Sequence, residues 1–356
     1  MKEVTDRLPG RDFHLFCAKI RPGLPATEKI GNVTVHRCGF GSPVDKFLLP
    51  LVAPAKAFFL SGSEKSVAWA LMASYGGFAA LAYTWVRPKA KFLLTLQEGD
   101  PIEHYAKRAG SLGFLHAKIF RRADAVQPIS RFLSEWAKRM GFAGDPEIIP
   151  NGVDLPRFTA VSPAGDRERW RSSWGLAAQD IAIVTASRLS LKNGVDDLIR
   201  AVAQLPERFH AVVAGEGEDH DKLVALAEEK GIAERVHFLG KRGHDELPGI
   251  LRASEIFCRP SLSEGLGNSF LEAMVAGLPI IGTPVGGIPD FLVDGETGLF
   301  CRPRDPASIV AAVARLADDA ELRARIVRQG RALAIERYGW DGIAARIGKI
   351  LDRLSV

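Results

Sequence analysis

The sequence predicts an α/β protein of two doubly wound domains, and three observations support this prediction. A chain of 356 residues is too long for one ordinary hydrophobic core. Short apolar strand-like runs alternate with helical runs through the second half, which is typical of a parallel sheet with helices on both faces. The first half shows the same alternation less regularly. Ligands of such sheets bind at the carboxyl ends of the strands, so the candidate site residues are sought there.

In the first half, the predicted strands are followed by one helix and a last strand that leads to a domain boundary near Leu155. The strand-like runs are RDFHLFCA, NVTVHRC, SVAWAL, KFLLTLQ and DAVQPIS; the helix is LSEWAKRMG and the last strand is PEIIPNGVD (146–154).

The second half has clearer elements, and two amphipathic helices close it. The predicted strands are IAIVTAS (181–187), HAVVAG (210–215), VHFLG, EIFCRPS, PIIGTP and TGLFCRP; the helices are VDDLIRAVAQL (195–205), DKLVALAEEKG (221–231), PASIVAAVARLADD and AELRARIVRQGRALAIERY.

The composition is that of an ordinary globular protein, with 47% hydrophobic and 25% charged residues. Four scattered cysteines form no CxxC pair, which argues against a disulfide framework or a zinc site and indicates a reducing compartment, the cytoplasm. They are Cys17, Cys38, Cys258 and Cys301.

The uncharged stretch 67–86 has two interpretations. It is long enough to span a bilayer and is followed by Arg87 and Lys89. Alternatively, it is a buried strand, a glycine turn at Gly76 and Gly77, and a core helix. The glycine pair and the polar residues within the stretch favour the second interpretation.

Charge is distributed unevenly along the chain. Residues 1–150 carry a net charge of +8 and the remainder −3, which together give the net charge of +5. A basic first half suggests an anionic partner, such as lipid headgroups, phosphorylated glycan carriers or nucleic acid. Lys118, Arg121 and Arg122 share one face of a predicted helix and could contact such a partner. An ordinary solvated surface explains the same pattern.

Two carboxylates flank a strand-to-helix turn in the second half. Glu264 precedes a loop that contains Gly265 and Gly267, and Glu272 lies just inside the next helix. Glycines allow the backbone to approach a ligand, and free N–H groups at a helix start favour an anion. Carboxylates accept hydrogen bonds from paired sugar hydroxyls. The spacing suits a nucleotide sugar, although a turn residue and a helix-solubilising residue would produce the same pattern.

Two cations follow the first strand of the second half. Arg188 comes directly after IAIVTAS, and Lys192 follows before the next helix. At a strand's carboxyl end such groups can neutralise a diphosphate leaving group as its charge develops. A solvated loop is the weaker alternative, because ASRL ends a buried strand.

The second half resembles the retaining GT-B glycosyltransferases called glycosyl transferases group 1, or family four. Their hallmark is a glutamate, seven residues and a second glutamate, which here reads EGLGNSFLE. SRLSLKNGVDDLIRAV, IIPNGVD and GLPIIGTPVGGIPDFLVDGETGLF match further family segments, so the likeness extends over almost all of residues 148–340. It implies a GT-B fold, in which two Rossmann-like domains face each other across a cleft.

The resemblance also implies roles for individual residues. Arg188 and Lys192 would bind the donor diphosphate, Glu264 the transferred sugar and Glu272 the ribose hydroxyls; the first three are the predicted catalytic residues. Further donor contacts would come from the loop, the start of the helix and the end of the strand VHFLG. These are Gly265, Leu266, Gly267, Asn268, Ser269, Phe270 and Gly240.

On the family pattern, residues 1–154 form the acceptor-binding domain, residues 155–335 the donor-binding domain, and residues 336–356 a C-terminal helix that packs back on the first domain. The first half departs from that pattern in two ways. Met1 aligns inside the family's first helix, so we expect the opening central strand and its glycine loop to be absent. In TLQEGD, Gln97 stands where many members have a histidine. Gln97, Glu98 and Asn151 are the acceptor-side candidates, whereas His104 and His116 are interpreted as structural.

The resulting prediction is a hexosyltransferase that acts with retention of configuration in polysaccharide or glycolipid biosynthesis. The donor would be a nucleoside diphosphate sugar and the acceptor a glycan or a lipid-linked glycan, with no nucleic acid partner and possible peripheral contact with an anionic membrane. No cofactor and no metal are expected; Asp219 and Asp221 imitate a metal-binding DxD but begin a helix. Two alternatives remain open, a sugar-nucleotide epimerase of the same fold and a non-catalytic sugar-nucleotide binder.

Overall fold

The computed structural model describes residues 1–61, 66–101 and 113–356. These residues divide into two compact units. The first contains Met1–Asn151 and Trp340–Val356, and the second contains Gly152–Gly339. The chain therefore enters the second unit once and returns to the first for its last helix.

The described part of the first unit has two three-stranded sheets rather than one continuous sheet. One has the order β1-β3-β2, in which β1 and β3 are parallel and β2 is antiparallel to β3; the other is the parallel sheet β4-β5-β6. Strands β1 and β4 each end a sheet, and most of their side chains are only half-buried. The strands are β1 Phe13–Ala18, β2 Thr27–Ile30, β3 Val33–Cys38, β4 Val67–Leu71, β5 Lys91–Leu96 and β6 Ala125–Pro128.

The described helices of the first unit are α1 Lys2–Thr5, α2 Asp45–Leu60, α3 Tyr75–Val86, α4 Gly113–Arg122, α5 Arg131–Arg139 and, from the end of the chain, the helix Trp340–Ser355. Ile343, Ile347 and Leu351 of this last helix pack in one core with residues of α1, β4, β5 and β6. The C-terminal helix is thus an integral part of the first unit's core.

The predicted strand at 146–154 does not form. The segment runs beside β6 and donates two backbone hydrogen bonds to it, from Glu147 to Val126 (2.9 Å) and from Ile149 to Pro128 (3.0 Å). A complete parallel ladder needs donors on both chains. The donor of β6 between these two bonds would be residue 128, but Pro128 carries no N–H, so the ladder cannot be completed.

Residues 67–86 follow the second of their two interpretations in outline, with strand β4, a turn at 72–74 and helix α3. The predicted glycine turn is wrong, because Gly76 and Gly77 lie in the first turn of α3 and the chain turns before them. Within the described residues, no helix is both long enough and apolar enough to cross a bilayer. The bilayer-spanning interpretation of this stretch is therefore wrong. The stretch is not one continuous helix, because β4 ends at Leu71 and the backbone turns at Met72, whose φ is +67°.

The second unit is built on one six-stranded parallel sheet of order β12-β11-β10-β7-β8-β9. From β7 the chain proceeds outward to β8 and β9, returns to β10 beside β7, and then proceeds outward on the other side to β11 and β12. The neighbours β7 and β10 therefore form the topological switch point, where ligands bind in such sheets. The strands are β7 Ile181–Ala186, β8 Phe209–Ala214, β9 Val236–Gly240, β10 Ile256–Arg259, β11 Ile280–Gly282 and β12 Leu299–Phe300.

Helices cover this sheet and bury an aliphatic core. The α-helices are α6 Leu155–Thr159, α7 Asp166–Ser173, α8 Val195–Val202, α9 His220–Glu229, α10 Leu247–Ala253, α11 Asn268–Ala276, α12 Pro306–Asp318 and α13 Ala320–Arg337, which makes the C-terminal Trp340–Ser355 helix α14; 3₁₀ turns form at Leu191–Asn193, Ala233–Arg235 and Ile288–Asp290.

Candidate functional site

The loops that leave β7 and β10 touch each other at the switch point. The Leu262 amide donates to the Lys192 carbonyl (2.6 Å), and the Asn193 side chain donates to the Arg188 carbonyl (2.5 Å). Gly194, at φ +66°, lies so close to the other loop that a Cβ there would be 2.0 Å from the Pro260 carbonyl oxygen. The two predicted groups of site residues therefore belong to one continuous surface.

Arg259, the last residue of β10, holds this surface together. Its Nη2 lies 2.5 Å from Glu264 Oε2 and donates to Asn193 Oδ1 at 2.7 Å. Its Nη1 donates to Ser269 Oγ at 3.1 Å. Arg259 and Glu264 have only 11% and 13% of their side chains exposed. One guanidinium thus binds the β7 loop, the first glutamate and the start of α11.

The predicted site residues do not include Arg259, Asn193 or Gly286. The signal for Arg259 was present, because a charged residue at the end of a buried strand had already identified Arg188. Gly286 matters because a Cβ there would lie 1.8 Å from the Glu264 carbonyl oxygen, and the Gly287 amide donates to the same oxygen (3.3 Å). This contact between distant loops has no counterpart in local sequence.

Glu264 lies in the loop between β10 and α11, as the sequence predicts. Its Oε1 accepts from the Gly265 amide at 3.2 Å. Gly267 has φ +96° at the N-cap of α11, a backbone region that favours glycine. The N-cap glycine carries no side chain that could cap this helix start, and helix N-termini favour anions.

Glu272 is one turn into α11 with 13% of its side chain exposed. Burial raises the pKa of its carboxyl to about 7, and the charges of Arg157 and Arg259 offset only part of that effect. His244 Nδ1 is 4.0 Å from Glu272 Oε1. The second glutamate is therefore poised to change its charge near neutral pH.

The two predicted cations differ in setting. Arg188 is exposed, and its Nη2 donates to Glu218 Oε2 at 2.9 Å. That ion pair contributes to a lowered pKa of the Glu218 carboxyl, after a backbone hydrogen bond to it. Lys192 lies in the 3₁₀ turn after β7 and is half-buried. Arg188 could therefore release the Glu218 carboxylate and bind a phosphate without disrupting any buried contact of this exposed ion pair.

The remaining residues predicted for the donor side differ in how far their side chains are exposed. Asn268 is exposed and Ser269 is half-buried at the helix start, whereas the side chains of Leu266 and Phe270 are buried in the interior. The Phe270 ring packs against other aromatic rings, and its amide donates to the Gly267 carbonyl (3.0 Å). Leu266 and Phe270 shape the loop, and their side chains do not face solvent.

Gly240 ends β9 with φ +69°, and its carbonyl accepts from the Gly215 amide at 2.9 Å. A Cβ at Gly215 would be 1.8 Å from the Ser187 carbonyl oxygen, and one at Gly217 would be 2.1 Å from that of Leu189. The GEG turn after β8 is thus packed on the segment that carries Arg188.

The acceptor-side candidates lie in the first unit. The Gln97 side chain is exposed and donates to Asn151 Oδ1 at 3.1 Å. Glu98 is 1% exposed; its Oε1 accepts from the Ala73 amide at 2.6 Å, and burial raises the pKa of its carboxyl to about 7. Buried His116 donates from Nε2 to the Ala73 carbonyl (2.8 Å), a structural role.

Within the described ranges, no three or more His, Cys, Asp or Glu side chains form a group that could hold a metal ion. Asp219 takes the N-cap position of α9, but its carboxylate pairs with Lys222 (2.6 Å) rather than with the helix backbone. His104 lies outside the described residues.

The predicted cationic face on α4 is partly engaged. Arg122 pairs with Asp124 at 2.9 Å and donates to the Ala90 carbonyl at 3.2 Å. Lys118 Nζ lies 5.6 Å from the ring centroid of Phe114.

A model of the family described as glycosyl transferases group 1 matches residues 166–333. These residues form a group 1 glycosyltransferase domain. The matched range contains every residue that the sequence analysis assigned to the donor side. The family predicted for the second half is thereby confirmed.

Relatives of the group 1 glycosyltransferase domain extend the comparison beyond this range. Over 247 residues, the chain is 32% identical to the GDP-mannose-dependent alpha-(1-6)-phosphatidylinositol monomannoside mannosyltransferase of Mycolicibacterium smegmatis, which covers 66% of this chain and 64% of that protein. The chain spans 51% to 64% of the length of the first curated relatives it matches.

Solved structures show the same fold. Sucrose-phosphate synthase of Thermosynechococcus elongatus is similar with a TM-score of 0.86 at 21% identity, covering 99% of this chain and 92% of that one. HepE of Anabaena, in complex with UDP and glucose, has a TM-score of 0.78 at 22% identity, covering 91% and 86%. At these identities the likeness concerns the fold alone, and it confirms the predicted GT-B class.

Proposed function

We propose that this protein transfers a hexose from a nucleoside diphosphate sugar to an acceptor hydroxyl with retention of configuration at the sugar. The observation that carries the proposal is the contact of the β7 and β10 loops, through Asn193 and Arg259, at the switch point of the second unit. There, two carboxylates that can accept from hydroxyls flank a helix start with glycine at its N-cap, a position that favours phosphate.

The donor is held by groups of opposite character. The diphosphate lies at the start of α11 and near Arg188 and Lys192, the ribose hydroxyls donate to Glu272, and the hexose hydroxyls donate to Glu264. The charge pattern supports this arrangement, because anions favour helix N-termini and cations, whereas neutral hydroxyls favour carboxylates. The mycobacterial relative is named for GDP-mannose, and HepE was solved with UDP, so the donor class fits the family.

In the proposed reaction the bond between the anomeric carbon and the phosphate oxygen breaks, and the acceptor oxygen bonds that carbon from the same face. The acceptor proton passes to the leaving diphosphate oxygen. Growing negative charge on that oxygen is stabilised by Arg188 and Lys192. Every atom moved comes from donor or acceptor, so these steps need no further reactant.

We propose a glycan or lipid-linked acceptor bound by the first unit, with Gln97 and Asn151 as the exposed polar contacts. Gln97 is exposed and hydrogen-bonded to Asn151, so together they offer an amide pair to acceptor hydroxyls. Buried Glu98 supports the turn at Ala73 instead. The phosphatidylinositol mannoside in the name of the mycobacterial relative supports a lipid-linked substrate class.

Steady-state kinetics of Arg188→Ala with saturating acceptor test the proposal. We expect the turnover number to fall about 10²- to 10³-fold, because the fixed cation acts mainly on the transition state, with a smaller rise in the donor KM. Arg188→Lys should recover only part of the loss, since an ammonium cannot reproduce the planar guanidinium. Arg208→Ala, at the amino end of β8, is the matched control and should behave as the parent protein.

A panel of UDP-, GDP- and ADP-sugars identifies the donor through release of the nucleoside diphosphate. Conversion of the donor to an isomer without acceptor product would identify an epimerase, and donor binding without turnover would identify a binder.

Loss of donor affinity alone in Arg188→Ala would make the residue a ground-state phosphate clamp and would contradict the proposed role.

A further inference from the structure

Glu218 is paired with a cation of the proposed donor site. Its Oε2 accepts from Arg188 Nη2 at 2.9 Å, and the two side chains are 56% and 71% exposed. The next residue, Asp219, is instead paired with Lys222 at 2.6 Å. Exposed ion pairs contribute little stability, so a phosphate can displace the carboxylate from the guanidinium. Glu218 is therefore an acid that a ligand of Arg188 must replace.

The loop that carries Glu218 is attached to the segment that carries Arg188. The Leu189 amide donates to the Glu216 carbonyl (2.9 Å), and the Asp219 amide donates to the Leu189 carbonyl (3.1 Å). These two bonds lie on either side of Glu218 in the sequence, and the Leu189 side chain is fully buried. The backbone contact does not use the ion pair, so it holds the two segments together when the guanidinium takes another partner.

A displaced Glu218 carboxylate stays close to whatever binds Arg188. Only the side chain can swing away, and its length is less than the Debye length of about 8 Å at physiological ionic strength. A hydrogen bond from its own amide and the pairing with Arg188 keep the pKa of this carboxyl below its usual value, so the group is ionised at neutral pH. A phosphate on Arg188 therefore lies near a like charge.

The donor and the nucleotide product of sugar transfer differ in charge at the outer phosphate. In the sugar nucleotide this phosphate is a diester with one negative charge. In the released diphosphate it is a monoester, which loses its second proton with a pKa of about 6 and so carries one more negative charge at pH 8. In water, a like unit charge a few ångströms away weakens binding about two- to fivefold. Glu218 therefore opposes the product more than the donor.

We propose that Glu218 discriminates between donor and product: it occupies Arg188 until a phosphate replaces it, and then repels the nucleoside diphosphate product more strongly than the sugar nucleotide. The carboxylate thereby promotes product release without touching the reacting atoms. The inference rests on the proposed function, because it requires Arg188 to bind the donor phosphate. Its own test is a ratio of two affinities, which is separate from whether the donor binds at all.

Calorimetry at pH 8 and low ionic strength tests the discrimination. The probes are UDP with UDP-glucose, GDP with GDP-mannose and ADP with ADP-glucose, and the pair that binds the parent protein is used. Glu218→Gln should tighten both ligands, and the diphosphate about two- to fivefold more than the sugar nucleotide. Glu218→Asp keeps the charge and should keep most of the discrimination. Glu228→Gln removes the same charge about 12 Å along α9 and should bind both ligands as the parent does.

The pH dependence of the same ratio of dissociation constants identifies charge as the cause. At pH 5.5 most of the outer phosphate of the diphosphate is protonated, so donor and product carry nearly the same charge. The ratio should then differ little between the parent and Glu218→Gln. Protonation of Glu272 should weaken both ligands alike, so it cancels in the ratio. High salt at pH 8 should also reduce the difference, because screening weakens the repulsion.

Four results would overturn the proposal. They are an unchanged ratio in Glu218→Gln at pH 8, an equal change in Glu228→Gln, a change that persists in full at pH 5.5, and weaker binding of both ligands by Glu218→Gln. The last result would show that the carboxylate positions Arg188 for the phosphate. No binding of any probe by the parent protein would overturn the donor site itself, and this inference with it.

Discussion

Arg259 is the residue on which the donor-side geometry depends. Its contacts with Glu264, Asn193 and Ser269 join three segments far apart in sequence. A guanidinium suits this position because its planar set of donors can serve several acceptors at once. We infer that Arg259 positions Glu264 for the sugar hydroxyls, without touching the reacting atoms.

Arg259→Met is expected to cost roughly 3 kcal/mol of unfolding free energy, because it leaves Glu264 largely buried without its counter-charge. Adding Glu264→Gln should restore most of that stability but not the turnover. Urea unfolding and donor turnover, measured on the same preparations, separate the two effects. Arg302→Met is the control: the Arg302 side chain is 78% exposed, and its partner Asp305 keeps the amide of Ser308 as a partner, so the change should cost less than about 1 kcal/mol.

A different result would assign Arg259 another role. Should the double variant regain turnover together with stability, the residue would be purely structural, and Glu264 would not bind the sugar.

We expect Glu272 to make donor binding depend on pH. Its carboxyl has a pKa of about 7, raised by burial, so it is ionised above neutrality and protonated below. Only the ionised form offers charge-assisted acceptors to both ribose hydroxyls. We expect the affinity for the nucleoside diphosphate to rise from pH 6 to pH 8, with proton release on binding, measured by calorimetry in buffers of different ionisation enthalpy.

Glu272→Gln should remove the part of this pH dependence that belongs to the protein, while the titration of the diphosphate itself remains. Glu272→Ala should lower affinity about 10- to 150-fold, the equivalent of roughly 1.5–3 kcal/mol for a hydrogen bond to a charged group. Unchanged affinity in a folded Glu272→Ala variant would exclude the residue from the ribose site.

Glu272 affects the pH dependence of folding stability with the opposite sign to that expected for donor affinity. A carboxyl whose pKa is raised in the folded state stabilises fully below its ordinary value of 4.5, and that contribution is lost as pH rises through about 7. We therefore expect the unliganded protein to lose stability as pH rises from 4.5 to about 7, a range that overlaps the one in which its donor affinity should increase.

At the scale of elements, close approach of the β7 and β10 loops requires glycine at position 194. A Cβ there would meet the Pro260 carbonyl oxygen at 2.0 Å, and the φ of +66° is itself unfavourable for other residues. Gly175 offers a matched comparison, because its φ is +70° and nothing lies within 4 Å of the position of a Cβ. The two glycines thus differ in steric surroundings and share the backbone conformation.

Gly175→Ala should cost about 1 kcal/mol, the penalty of the left-handed backbone. Gly194→Ala should cost at least about 2 kcal/mol more and should also weaken donor binding, because the loop with Glu264 must move. Thermal unfolding and calorimetric titration of both variants check this. Equal losses in the two variants would show that the loop contact has no energetic importance.

At the scale of the whole molecule, the last helix belongs to the unit in which the chain begins. Ile347 is 5% exposed in a core shared with α1 and the strands β4, β5 and β6. A carboxylate introduced at this position would be surrounded by apolar side chains, so Ile347→Asp should destabilise that core by several kcal/mol.

Hydrogen exchange should locate the effect of Ile347→Asp. We expect lost protection in β4, β5 and β6, and the strands of the second unit, β7 to β12, supply the internal comparison. Lys349→Asp, at an exposed position of the same helix, is the matched control and should leave protection in those strands unchanged. Equal loss of protection across both units would contradict the assignment of this helix to the first core.

The sequence by itself determined the strand and helix alternation, the family of the second half, and the region in which the site residues lie. The alternation and the region of the candidate site follow from local chemistry: apolar periodicity marks the strands, and a charged residue after a buried strand must lie at the sheet edge. The family follows instead from the resemblance of the motifs in residues 148–340. Glu264 and Arg188 were identified by their places after strands, and Glu272 by its spacing from Glu264. The same reasoning would have found Arg259.

Only the tertiary structure decided which of these groups meet, since the order β10-β7 brings together loops that the chain separates by two strands. It also shows an irregular segment in place of the predicted strand at 146–154, because Pro128 of β6 has no N–H to donate to that segment. The raised pKa of Glu272 depends on what packs around its side chain. Burial is a property of neighbours in space, and no spacing along the chain determines it.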